Sequence, residues 1–135
     1  MKENLIAQVG NSRNYTLAVA EAMPENKYES KPVSQVWSFR ELLNHLAYGI
    51  EWYVSNYIKG VEMGWQEPGP RNDKKETIAY LNQVYNALEA SINSSKNAND
   101  LVNGFYATLD HITHHRGQAV MYLRAQGIKP PEYQY

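Results

Sequence analysis

The sequence predicts an all-α protein, a four-helix bundle with a long crossover between its second and third helices. Three observations predict it. Four segments carry apolar residues at helical spacing, no segment alternates as a half-buried strand would, and proline- or glycine-containing breaks bound the segments. The chain has 135 residues, which suits a single domain over 1–135 with a core large enough to need no staples. Helices of about 20 residues are about 30 Å long. They bury their apolar stripes only by packing on one another.

The first segment runs from about Asn4 to Met23. Leu5, Ile6, Val9, Tyr15, Leu17 and Val19 mark an apolar side of imperfect period, and Pro24 stops it. The stretch PENKYESKPVSQVW then reads as a polar connector. The second segment opens on SFRE, in which Ser38 and Glu41 form a capping box and Trp37 is placed as a hydrophobic staple. Leu42, Leu43, Leu46, Ile50, Tyr53, Val54 and Tyr57 follow at helical spacing, and Gly60 suits the C-cap.

VEMGWQEPGPRN is the crossover, longer than an antiparallel helix pair needs. A simple up-down-up-down order is therefore not required. In DKKE, Asp73 caps the third helix and Glu76 completes a second box. Ile78, Leu81, Val84, Tyr85, Leu88 and Ile92 keep the period until the polar break NSSKNAND. The fourth segment starts between Ala98 and Thr108, with Gly104 arguing against the earlier start. Its core side is Leu101, Phe105, Leu109, Ile112, Val120 and Leu123; Gly127 and KPP end it. There is no internal repeat and no sustained heptad run.

Composition narrows the function classes. The absence of cysteine excludes disulfides, thiolate ligands and cysteine nucleophiles. Net charge is −1 with no basic run, against a nucleic-acid partner. MKENLIAQVG lacks the apolar core of a signal peptide, and no stretch approaches the roughly 18 apolar residues of a membrane span. The expectation is a soluble, cytoplasmic protein with no membrane partner.

The chemistry concentrates in DHITHHRGQ, which holds three of the four histidines. His111 and His115, four residues apart, share one helix face and can put two imidazole nitrogens about one ion. His114 is rotated off that face. A third ligand has to come from another helix, and His45, one turn into the second, is the remaining histidine. Three neutral imidazoles with open positions suit a divalent ion, Zn²⁺ or Ni²⁺ first, with Fe, Mn and Co as alternatives. The competing reading is a set of ordinary hydrogen-bonded helix histidines. Gly49, one turn after His45, either leaves space beside the site or allows close helix packing. Trp52 and Tyr48, with Tyr53, are placed by helix phase as the pocket wall. Arg116 and Gln118 are polar groups in mid-helix, suited to bonding neighbouring loops or groups behind the ligands, and equally to being solvated or pairing across a dimer.

HITHHRGQAVMYLRAQGIKPP resembles the C-terminal signature of the DinB/YfiT-like superfamily, and WSFRELLNHLAYGIEWY resembles that family's second helix. The resemblance implies a four-helix bundle, usually a homodimer, with helix four lying between two and three. It also implies a divalent metal on three histidines, which by motif are His45, His111 and His115. Characterised members of that superfamily include S-transferases that use low-molecular-weight thiols such as bacillithiol, and a mycothiol-dependent isomerase.

The leading expectation is therefore a metal-dependent enzyme that joins a small thiol cosubstrate to an electrophile, the nucleophile arriving with the cosubstrate because the chain has none. A metal-dependent hydrolase is the second reading; it wants a carboxylate base, for which Asp110, Glu51 and Glu41 are the only nearby groups. A non-catalytic, metal-binding stress-response dimer is the third. The catalytic acid or base is not identifiable from sequence.

Overall fold

The computed structural model describes residues 1–135. Four helices build it: α1 (Lys2–Ala22), α2 (Phe39–Tyr53), α3 (Lys74–Ser94) and α4 (Ala98–Ala125). A short 3₁₀ turn follows α1 at Glu25–Lys27, and α2 continues through a π-helical turn, Val54–Ile58. There are no strands. No helix is long and apolar enough to cross a membrane.

The imperfect period of α1 has a physical cause. Its core face passes through Ser12 and Thr16, both buried. Their hydroxyls lie 2.9 and 2.8 Å from the Tyr85 Oη on α3, so two polar residues fill core positions. Leu5, Ile6 and Leu17, the more apolar residues, are only partly buried. Further pairs run Lys2 to Asn93 and Lys74 to Glu21, so α1 and α3 are antiparallel.

The connector after α1 is anchored rather than loose. Tyr28 is buried and donates to the Ala20 carbonyl at 2.7 Å. The carbonyls of Ser30 and Tyr28 accept from the Phe39 and Arg40 N–H groups, which the first turn of α2 would otherwise leave unpaired. Ser38 and Glu41 make the predicted capping box in full. Asp73 caps α3 as expected, but Glu76 reaches past it to the Asn72 N–H, so the second box is incomplete.

α4 takes the early start, capped by Asn97. Gly104 sits inside it because α4 crosses α2 closely there. A Cβ at Gly104 would fall 2.7 Å from the Tyr57 carbonyl oxygen. The glycine is an approach point, not a helix end. Gly60 and Gly127 do end helices, with φ of 67° and 73°.

α2 contacts α3 and α4, and α1 contacts the same two helices. Around the bundle the order is therefore 1-4-2-3. The expectation that α4 lies between α2 and α3 is wrong: α2 lies between them, and α3 and α4 take opposite corners. Amphipathic stripes say which face is buried, not which neighbour buries it. Asn44 pairs with Thr77 and Glu51 with Tyr80, so α2 and α3 run parallel. Gly49 faces His111 and Ile58 faces Gly104, so α2 and α4 run antiparallel.

The crossover makes the parallel pair possible by running back along α2. Met63 N–H donates to Asn56, Gln66 N–H to the Tyr48 hydroxyl, and Arg71 N–H to Asn44. This return path lays residues 65–67 over the middle of α2, where His45 stands.

Candidate metal centre

α2 supplies His45 and α4 supplies His111 and His115. Antiparallel packing brings one ligand-capable nitrogen of each within 4.8 Å of the others. The ring centroids are 4.5 Å apart for His45–His115, 4.6 Å for His111–His115 and 5.5 Å for His45–His111. His114 lies outside the cluster, exposed, with its ring 4.8 Å from that of His115.

The hydrogen bonds leave specific nitrogens free. His45 Nδ1 donates to both carboxylate oxygens of Glu67, at 3.1 and 3.0 Å. His115 Nδ1 donates to the Gln118 side-chain oxygen at 2.9 Å. A donating Nδ1–H leaves the lone pair on Nε2. His111 Nε2 is buried with no hydrogen-bond partner at all. An orphaned buried nitrogen costs free energy unless something occupies it. A cation seated among the three rings fits that nitrogen and the two oriented lone pairs beside it.

Protonation favours the same use. Burial, followed by the neighbouring His115 and His45, lowers the pKa of His111 to about 4. Burial also lowers that of His115. Both rings are then neutral near pH 7, the form that binds metals.

Gly49 is part of the site. A Cβ there would lie 1.8 Å from His111 Nε2 and 2.3 Å from its Cε1. Any side chain at 49 displaces the imidazole. Both sequence readings of Gly49, close packing and space beside the site, describe this one contact.

The aromatic surround keeps Tyr53 of the helix-phase expectation and adds two tryptophans that expectation did not place there. Trp37, placed in sequence as a staple, instead lays its ring over His45, with centroids 4.4 Å apart. Tyr53 packs on His111 at 5.3 Å. Trp65, from the crossover, stands 5.5 Å from His45. Tyr48 and Trp52 pack on Trp65, with ring centroids 4.9 and 5.6 Å from it. Tyr48 is buried and its hydroxyl is committed to Gln66. Trp37, Trp65 and Glu67 were not identified as site residues from sequence. The last two lie in a crossover whose path is a matter of topology; the tryptophan-glutamate spacing in GWQEPGP is their only local signal.

The carboxylates considered for general base are engaged elsewhere. Glu41 accepts from Ser38 N–H in the capping box, and Glu51 accepts from Tyr80 Oη. Asp110 is exposed and outside the cluster. Arg116 turns away from the histidines, buried against α1 with Ser12 and Thr16 and with its guanidinium 4.6 Å from the Tyr15 ring centre.

A crystal structure of a DinB-like protein from Bacillus cereus ATCC 10987 is similar over 97% of this chain and 96% of its own, with a TM-score of 0.78 and 14% identity. At that identity the likeness concerns the fold. No curated protein matches the sequence. The profile of the DinB superfamily matches residues 8–123, which span both the α2 and α4 histidines. The chain is a member of the DinB superfamily.

Proposed function

We propose that this protein is a divalent-metal-dependent enzyme in which His45, His111 and His115 hold one ion, Zn²⁺ or Ni²⁺ foremost, and that it transfers a small thiol to an electrophile. The observation that carries the reading is the convergence of three imidazoles from two helices, one ligand-capable nitrogen of each within 4.8 Å of the others, in a ring set where His111 Nε2 is buried and unpartnered. Borderline nitrogen donors suit these ions, with Fe, Mn and Co as alternatives.

When bound, such an ion supplies positive charge that lowers the pKa of a thiol brought to it. The chain's own part is to present the ligands and exclude water. Glu67 and Gln118 fix two rings, Gly49 admits the third, and Trp37, Tyr53 and Trp65 line the surround. In the transfer a sulfur–carbon bond forms as the electrophile's bond to its leaving group breaks; the thiol proton departs with the leaving group. Hydrolysis is less well supported, because the one carboxylate at the site, Glu67, is held by His45.

The test is to load the protein with Zn²⁺ or Ni²⁺ and incubate it with a panel of low-molecular-weight thiols and electrophiles. Conjugation that disappears in His45→Ala and His115→Ala is the expected result. Product formed without added thiol indicates the hydrolase instead. Tight metal binding with no turnover on any panel indicates the non-catalytic role. The homodimer implied by the family resemblance is read from the same preparation by light scattering.

A further inference from the structure

A cavity of about 370 Å³, within the usual range for small-molecule sites, lies beyond Trp37 and Gln118, the two residues that separate it from His45 and His115. Its position follows from helix phase. On α4, Gln118 and Tyr122 continue the stripe of His111 and His115 by further turns. On α2, Leu42 lies one turn before His45. Because the two helices are antiparallel, these residues meet on the same side of the cluster. Val36 and Met121 complete the apolar wall.

Two of the lining residues also touch the proposed ligands. Trp37 covers the His45 ring, and Gln118 accepts from His115 Nδ1. None of the lining residues is charged; Gln35 and Gln118 are the only amides. The Tyr122 hydroxyl donates to the Trp37 carbonyl at 2.7 Å, which fixes that wall and uses its proton. A charged ligand would meet no charged lining residue, whereas an apolar one would cover Trp37, Val36 and Met121, which are 44%, 37% and 60% exposed.

We propose that this cavity binds the uncharged, apolar body of the substrate, an aryl or alkyl group up to bicyclic size. This deepens the function proposed above, and the identity of the ligand as that enzyme's substrate rests on that reading. The binding itself does not.

The experiment titrates metal-free protein with 2-naphthol and follows binding by NMR. Saturable binding that moves the Trp37 indole and Met121 methyl signals is expected. Met121→Glu, at an exposed position, weakens it at least tenfold, and Val36→Glu serves as the second variant should the first misfold. Absence of saturation, shifts confined to another face, or unaltered affinity in both variants overturns the proposal. So does loss of dimer mass in Met121→Glu without naphthol binding in either protein, which assigns the face to a second copy of the chain. Since no metal is present, failure here leaves the metal centre standing, and failure to bind metal leaves this titration standing.

Discussion

Substituting Gly49 by alanine separates the metal centre from the fold more sharply than removing a histidine does. The added Cβ would lie 1.8 Å from His111 Nε2, while ordinary contact begins near 3.4 Å. The ring therefore has to move by about 1.6 Å, against a tolerance of about 0.2 Å in metal–ligand distances. One of three ligands is lost. Four-ligand zinc sites contribute about 10–16 kcal/mol, or about 3 kcal/mol per ligand, so affinity should fall by about two orders of magnitude. The fold should hardly notice. The obstructing atoms are the end of one side chain that can rotate away, and alanine contributes up to about 1 kcal/mol over glycine inside a helix. The assay is a competition titration of Zn²⁺ against a chromophoric chelator, with thermal melts of the metal-free proteins alongside. Affinity within threefold of the parent would show that His111 is not a ligand or that its ring does not move. A metal-free variant whose melting temperature collapses would show that the contact is structural.

Gly104→Ala is the converse case: its Cβ would meet Tyr57 backbone at 2.7 Å, so calorimetry should show a loss of about 1–3 kcal/mol with metal affinity little changed in the folded fraction. Glu67→Gln keeps an acceptor for His45 Nδ1 but removes the charge behind it, and metal affinity measured by the same competition should drop about 10- to 100-fold. Saturating metal at about 100 times its dissociation constant adds about 2.7 kcal/mol, which for a chain of this size raises the melting temperature by about 10 °C; chelation should reverse it. The metal-free protein should lose stability as pH falls from 6.5 to about 4. In that window the unfolded state takes up the His111 proton and the folded state does not, and His111→Leu should flatten the slope in pH-dependent denaturant melts.

How much of this was legible in the sequence depended on whether a feature is local. The convergence of the histidines was foreshadowed because His111 and His115 share a helix face and one further histidine exists, while the ligand set itself was implied by the family resemblance. The Ser38 box and the Gly60 and Gly127 stops are likewise written within a few residues. The polar core face of α1 was not legible, because Ser12 and Thr16 are buried only through the hydroxyl of Tyr85, far along the chain. Gly104 looked like a helix breaker because its reason, the backbone of Tyr57, lies on another helix. Helix order failed for the same cause. Glu67 and Trp65 reach His45 only because α3 runs parallel to α2, which obliges the crossover to return along it. Of the pocket wall drawn from helix phase, Tyr53 packs on His111, whereas Tyr48 and Trp52 pack on Trp65 from the crossover, which helix phase does not place.

The most direct measurement of the central claim is elemental analysis with X-ray absorption spectroscopy on untagged protein. One divalent ion per chain is expected, bound by three imidazole nitrogens at about 2.0–2.1 Å for zinc. Signals from two of those nitrogens should vanish together when His111 and His115 are both replaced. A protein that takes up no divalent ion at neutral pH, or one whose ion is bound through carboxylates and retained after all three histidines are replaced, would contradict that claim.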